Sequence, residues 1–278
     1  MSNKEQIDYW NGEAARTWID QDDALDRMLN SISDAILDRA ALQRGERVTD
    51  IGCGSGALTM AAQNRVGPEG IVVGVDISAP LLENACRRAK SIGSPAKFLR
   101  ADAATWRAES QADALISRFG VMFFDDPGAA FASILHSTAP GGRLIFACWR
   151  SPKENDLGAG MMKAVAHLFT PPDVKPDPTA PGPFAFADST YVQNFLTRAG
   201  WCNIRFEPWD GRLPLTGNSA RDIAATLVRM GPVGRLVRDQ NVDPATVVAA
   251  LTPFVESRKV DGAYALNGAV WIVSAAKA

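Results

Sequence analysis

The amino-acid sequence predicts an α/β fold, a mostly parallel sheet with helices packed on both faces. Three observations carry that expectation. Short apolar runs alternate with helix-length segments across residues 47–148. A glycine-rich turn, Gly52-Cys53-Gly54-Ser55-Gly56, separates the first run from the helix that follows it. An acid, Asp76, ends the second run, 24 positions after Gly52. Alternation of this kind needs right-handed crossovers, which place helices on both sides of a parallel sheet.

Taken in order, residues 5–42 read as one helical stretch, with Trp18, Leu25, Met28, Leu29, Ile32 and Ile36 at spacings of three and four and Gly45 as the stop. Strands are expected at 47–51, 71–76, 96–100, 114–117 and 142–148. Helices follow at 57–65, 80–91 and 127–138, and Pro140-Gly141-Gly142 introduces the fifth strand. After Trp149 the texture changes. Residues 150–187 hold Pro152, Pro171, Pro172, Pro176, Pro178, Pro181 and Pro183, with a short helical piece at 157–169. A long connection in a compact domain is usually a lid or binding loop, and the interleaved Phe169, Phe184 and Phe186 favour a lid. Asp188 is placed to cap a helix over 188–200 that Gly200 stops. Residues 204–209 and 269–274 then form a terminal strand pair around helices near 218–231 and 243–260.

Bulk properties exclude several function classes. With 278 residues, 46% hydrophobic and 22% charged, the chain has the make-up of a globular protein. A net charge of −2 without a basic run offers no nucleic-acid surface. No apolar stretch reaches the roughly 20 residues that span a bilayer. The polar start lacks a signal-peptide core. Cys53, Cys86, Cys148 and Cys202 are scattered in apolar or small-residue contexts, as expected of reduced cytoplasmic thiols rather than disulfides or a metal site.

Three acids hold matched places: Asp50 before the glycine turn, Asp76 at the end of strand two and Asp102 beyond strand three. Any one of them alone would read as a turn or helix cap. Together they stand where parallel strands converge on a ligand crevice. A carboxylate at the end of strand two can accept both hydroxyls of a ribose, and one beyond strand three can accept from an adenine amino group. Dinucleotide sites show Gly-x-Gly-x-x-Gly, whereas here the spacing is Gly-x-Gly-x-Gly with Asp50 two residues ahead. A carboxylate there repels a pyrophosphate but suits an ammonium, so the charges favour S-adenosylmethionine over NAD.

Val-Thr-Asp-Ile-Gly-Cys-Gly-Ser-Gly, Val-Asp-Ile-Ser, Ala-Asp-Ala and Ala-Pro-Gly-Gly-Arg-Leu resemble the successive motifs of class I S-adenosylmethionine-dependent methyltransferases, of the ubiquinone/menaquinone C-methyltransferase-like group. The resemblance runs from about residue 9 to 275 and is densest over 47–149. It implies a Rossmann-like sheet of seven strands in the order 3-2-1-4-5-7-6, the last antiparallel, with an N-terminal helical cap and a lid insertion after strand five. One domain over 1–278 is then expected: a cap at 1–44, a cofactor core at 45–149, a lid and acceptor insertion at 150–200, and terminal elements at 201–278. It also implies that Gly52, Cys53 and Gly54 line the methionine moiety and that Asp50 organises its amino group. Asp76 would bind the ribose hydroxyls, Ile77 the adenine face, and Asp102 and Ala103 the adenine edge, while Ser117 and Arg118 would offer backbone to the methionine end and face the acceptor.

Trp10, Trp18, Phe119, Met122, Phe123 and Trp149 are candidates for the acceptor wall, with core packing as the alternative use of the same residues. His167, in the lid, is the candidate base or acceptor-orienting group; nothing places His136 in the crevice. Strand four ends Ile-Ser-Arg-Phe-Gly, unlike the Asn/Asp-Pro-Pro-Tyr of relatives that methylate planar amino groups. The expected reaction is therefore methyl transfer to oxygen or carbon, less readily nitrogen, of a small metabolite. An NAD-dependent oxidoreductase and a non-catalytic S-adenosylmethionine-binding protein are the competing readings. The aromatic-rich lid would also suit pairing into a homodimer.

Overall fold

The computed structural model describes residues 3–174 and 177–278. Met1 and Ser2 of the expected cap and Lys175 and Pro176 of the proline-rich stretch lie outside them.

Five strands run parallel: β1 (Arg47–Ile51), β2 (Ile71–Asp76), β3 (Lys97–Arg100), β4 (Ala112–Arg118) and β5 (Thr138–Trp149). Three more complete the strands: β6 (Cys202–Pro214), β7 (Lys259–Val260) and β8 (Ala263–Ala276). The order is β3-β2-β1-β4-β5-β8-β6, with the short β7 pairing β8 off this path. Since β8 is antiparallel to both β5 and β6, it is the reversed strand of the sheet. That is the expected order, the last long strand lying between the fifth and the sixth. The crossover helices are α4 (Ala57–Val66), α5 (Ala79–Ser91) and α6 (Pro127–His136). Their starts are fixed locally: Ser78 caps α5 and Asp126 caps α6, each ahead of a proline in the first turn.

The N-terminal stretch departs from one helix. It folds as α1 (Asn3–Asn11), α2 (Glu13–Asp20) and α3 (Asp22–Ala40), broken at Gly12 and Gln21. Ala41, in the left-handed region at φ 47°, ends α3 four residues before the expected stop at Gly45. The apolar stripe of α3, including Leu29, Ile32 and Ile36, is buried where the helix packs on β4 and β5. This packing brings Leu25, Met28 and Leu29 to the sheet's ligand-binding end.

Three further differences concern where elements begin and end. Strand β5 starts four residues early, because Thr138 pairs with Ala112 before a register shift carries Ala139-Pro140-Gly141-Gly142 past β4. Strands β6 and β8 extend well beyond 204–209 and 269–274, since each supplies the other's partner from Cys202↔Ala276 to Pro214↔Ala265. The segment near 218–231 is two helices, α9 (Ala220–Leu227) and α10 (Gly231–Asp239), split where Gly231 takes φ +59° and Pro232 opens the next helix. The last helix, α11 (Pro244–Glu256), stops short of β7.

In the stretch after β5, the short helix α7 (Met161–Val165) stands between π and 3-10 turns. Helix α8 (Ser189–Arg198) starts at Asp188, whose carboxylate accepts from the Thr190 and Tyr191 amides, as the sequence indicates. Phe131 of α6, Phe146 of β5, Phe195 of α8 and Phe186 form one aromatic core with ring centroids 5.0–6.3 Å apart. Phe186, expected in a lid, is thus fully buried core.

Candidate functional site

A cavity of about 210 Å³ lies against the ends of β1, β2 and β4. Its floor begins with the glycine turn, where the three glycines do different work. A Cβ on Gly52 (φ +67°) would stand 2.6 Å from the Cα of Gly120, and one on Gly56 (φ +82°) 2.7 Å from the Phe98 ring. Both positions are closed by neighbouring protein. Gly54 (φ +53°) has nothing within 4 Å of a Cβ, so this position opens into free space. Gly52 and Gly54 both line the cavity.

Asp76 fixes that turn from the next strand. One carboxylate oxygen accepts from the Gly54 amide at 2.8 Å and the other from the Ser78 amide at 2.8 Å. Each oxygen keeps a lone pair for a ligand hydroxyl. Burial raises the Asp76 carboxyl above its ordinary value, opposed by the Ser78, Gly54 and Ile77 amides. Ile77, Asp102 and Ala103 lie beside it on the same wall. The Asp102 carboxylate accepts from the Ala104 amide at 2.9 Å.

Three residues expected at the cofactor do not face the cavity. Asp50 is buried beneath the turn and accepts from the Thr59 hydroxyl at 2.6 Å. Burial pushes its carboxyl up to about 7, opposed by the Thr59 hydrogen bond and the Arg118 charge. Ser117 is fully buried and donates to the Ile51 carbonyl at 2.7 Å while accepting from the Gly120 amide at 3.2 Å. These bonds hold β4 and the loop after it against β1. Cys53 packs its sulfur over Gly74, where a Cβ would stand 2.8 Å away. Burial raises its thiol well above the ordinary value, with Asp76 and Asp50 adding to the rise.

Arg118 does reach the cavity wall. Its Nη1 donates to Ser33 at 2.8 Å and its Nη2 lies 3.5 Å from Asp26. Asp26 also pairs with Arg88, which stands 3.6 Å from Asp22. Cap helix α3, helix α5 and strand β4 are therefore joined by one charge network.

All six expected acceptor-wall residues line the same cavity. Trp10 meets Trp18 edge-on at 5.9 Å and Phe123 at 5.4 Å. Phe119 stacks flat on Trp149, with centroids 4.3 Å apart and planes within 3°. Phe119 takes φ +67°, a left-handed conformation rare for a bulky side chain. Sequence reasoning missed Gln6, Leu25, Met28, Leu29, Leu157, Pro183 and the Met230-Gly231-Pro232 corner, all on the wall. The Gly-Pro pair signalled that corner, as proline prefers the first turn of a helix. From the stretch expected to be a lid, Leu157, Pro183 and Phe184 line the cavity, and the Gly182 amide donates to the Met122 carbonyl at 3.2 Å. His167 is exposed in the 3-10 turn after α7 and is absent from the cavity wall. His136 is exposed on α6, with Nδ1 2.7 Å from the Ala132 carbonyl.

The fold is that of the Rossmann-like class I methyltransferases. Residues 48–142 match the family described as Methyltransferase domain. That matched segment contains the glycine turn, Asp76 and Asp102. Among curated relatives, the demethylmenaquinone methyltransferase of Thermus thermophilus is 32% identical over 142 residues, 49% of this chain and 64% of that protein. The aklanonic acid methyltransferase DauC of a Streptomyces species is 32% identical over 134 residues, 48% of this chain and 56% of that one. The chain thus spans less than two-thirds of the length of these relatives. Among solved structures, the magnesium protoporphyrin IX methyltransferase of Synechocystis, with bound S-adenosylhomocysteine, aligns over 100% of both chains at a TM-score of 0.56 and 15% identity. The [4+2]-cyclase SpnF aligns over 89% of this chain and 80% of its own, at 0.54 and 18%. At such identities the likeness is one of fold.

Proposed function

We propose that this protein transfers a methyl group from S-adenosylmethionine to oxygen or carbon, less readily nitrogen, of a small organic metabolite by in-line displacement. One observation carries the reading: a single cavity joins a floor of glycine backbone and acids to a wall of aromatic side chains. The floor fits the donor. Asp76 offers lone pairs on both oxygens to a pair of ribose hydroxyls, Asp102 lies alongside, and the open position at Gly54 admits a ligand against the backbone. Nothing in this donor set favours a pyrophosphate, because two carboxylates face the space and Arg118 is turned toward Asp26 and Ser33.

S-adenosylmethionine supplies, when bound, a methyl group on a positively charged sulfur. The chain's own residues supply position and dryness. Trp10, Trp18, Phe123, Phe119 and Trp149 exclude water and hold an apolar acceptor beside the glycine floor. No histidine faces the cavity among the described residues, so acceptors that need little help in losing a proton suit it. The absence of a long apolar helix among the described residues and four unpaired thiols support a cytoplasmic setting as part of this proposal.

Calorimetric titration tests the donor. S-adenosylhomocysteine is expected to bind and NADH is not; the reverse result would overturn the proposal. Incubating the protein and methyl-labelled donor with a metabolite extract is expected to label a small organic product. The fold shared with a [4+2]-cyclase favours one second reading, catalysis without methyl transfer. It predicts that S-adenosylhomocysteine supports turnover as well as S-adenosylmethionine does.

A further inference from the structure

The aromatic half of the cavity contains a polar side chain that the reading above leaves without a task. Gln6 lies on α1, is 2% exposed and lines the cavity. Neither its Oε1 nor its Nε2 has a hydrogen-bond partner. Buried carboxamides with both ends unpaired are uncommon, because each end forfeits its bonds to water. The charged groups on the wall are engaged by protein: Asp76 by two amides, Asp102 by the Ala104 amide, and Arg118 by Ser33 and Asp26. Gln6 stands one helical turn before Trp10, so both side chains share the face that α1 turns to the cavity.

We propose that Gln6 is the residue that orients the acceptor, and that the acceptor is a flat, uncharged ring compound carrying a hydroxyl or ring carbonyl. This rests on the methyltransferase reading and names the substrate class for the same site. A carboxamide both donates and accepts, so it pairs with a carbonyl through Nε2 and with a hydroxyl through Oε1. It carries no charge, so it selects a neutral polar edge over an anion or an ammonium. The flat Phe119–Trp149 pair and the Trp10, Trp18 and Phe123 rings suit a planar skeleton behind that edge. Gln6 thus fixes which atom of an otherwise featureless ring faces the donor.

The test is titration of wild-type protein and Gln6→Met by the fluorescence of the cavity tryptophans, with and without S-adenosylhomocysteine. The probes are naphthol and tetralone, and their hydrocarbon counterparts naphthalene and tetralin. Gln6→Met keeps length and helix preference while removing both polar ends. It is expected to weaken naphthol and tetralone roughly tenfold while leaving the hydrocarbons equal or tighter. Its Tm without ligand should rise, since an unpaired buried amide is gone; this also checks folding. Gln6→Asn, which withdraws the amide by one methylene, should lose the same preference. Equal change for all four probes, no change for any, or no binding of oxygenated probes to wild type would overturn the assignment. A tenfold loss of S-adenosylhomocysteine affinity in Gln6→Met would also overturn it, giving the amide to the donor. Failure of S-adenosylhomocysteine to bind wild type would instead defeat the methyltransferase reading, while the probe comparison without it still decides the role of Gln6.

Discussion

The two halves of the cavity are built by different means. The floor is made by the backbone: the turn after β1, the amides that Asp76 holds, and the loop ends at Ile77 and Ala103. The wall is made by side chains gathered from distant segments, from α1 to α3, from residues 119–124, from Trp149, from Leu157, Pro183 and Phe184, and from the corner at 230–232. Backbone sites tolerate few changes because each atom is fixed by the sheet. Side-chain sites can be altered one residue at a time. Substitutions in the floor should therefore damage fold or donor binding, and substitutions in the wall should damage acceptor use alone.

The sharpest break between the halves lies within the turn itself. Gly52→Ala sets a Cβ against the Gly120 backbone, which cannot yield, and is expected to destabilise the protein by more than about 3 kcal/mol. Gly54→Ala meets no atom and carries only the left-handed penalty of about 1–2 kcal/mol. It should fold, yet lose donor affinity where its methyl group intrudes. Urea unfolding and S-adenosylhomocysteine titration of the two variants would separate fold from floor. If both fold equally well, the division of labour among the glycines is wrong.

Asp76→Ala should weaken S-adenosylhomocysteine at least tenfold in a protein that still unfolds cooperatively, measured by calorimetry. Phe123→Ala is the matching change in the wall. It should leave donor affinity within about threefold and slow methyl transfer roughly tenfold through loss of acceptor positioning. Equal effects of the two variants on donor affinity would erase the distinction between floor and wall.

Asp50 gives the floor a pH signature. Its carboxyl titrates near 7 in the folded chain and near 3.8 when free of it, so the native state holds a proton that the unfolded state releases across that interval. Stability should fall as pH rises through this window and level off above about 7. Thermal unfolding between about pH 5 and pH 8 would show the slope, and Asp50→Asn should flatten it. The smallest effect is expected at His167→Ala, since that side chain is exposed and off the cavity wall; unchanged turnover is the outcome that fits.

The same division explains what could be read from the sequence. Strands β1 and β2 fall where the apolar runs place them, because short buried parallel strands between glycines and acids carry their own punctuation. The turn, Asp76 and Asp102 follow from that frame. The Asp50 and Ser117 side chains are engaged beneath the turn, Asp50 by Thr59 and Ser117 with the Ile51 carbonyl, a use that an acid or hydroxyl in this position does not announce in the sequence. The lengths of β6 and β8 depend on partners far along the chain, whereas the split between α9 and α10 is marked locally by Gly231-Pro232. Gln6 left no local signal, because a glutamine in a polar helix is ordinary until tertiary packing buries it.

Helix α1 is fastened by Asn11, which is not on the cavity wall. Its Nδ2 donates to the Ile77 carbonyl at 3.2 Å, and its Oδ1 accepts from the Ala79 amide at 3.0 Å. Gly12 then separates the helix from the rest of the cap. The fastening and the ligand-facing surface are thus different residues of one short arm. Lineages can redraw positions 6 and 10 to accept new substrates while the clasp, the turn and the acids stay unchanged. For a designer, residues 3–10 are the part to exchange first, with Asn11 kept as the clasp: a cassette expected to alter selectivity without entering the matched segment 48–142.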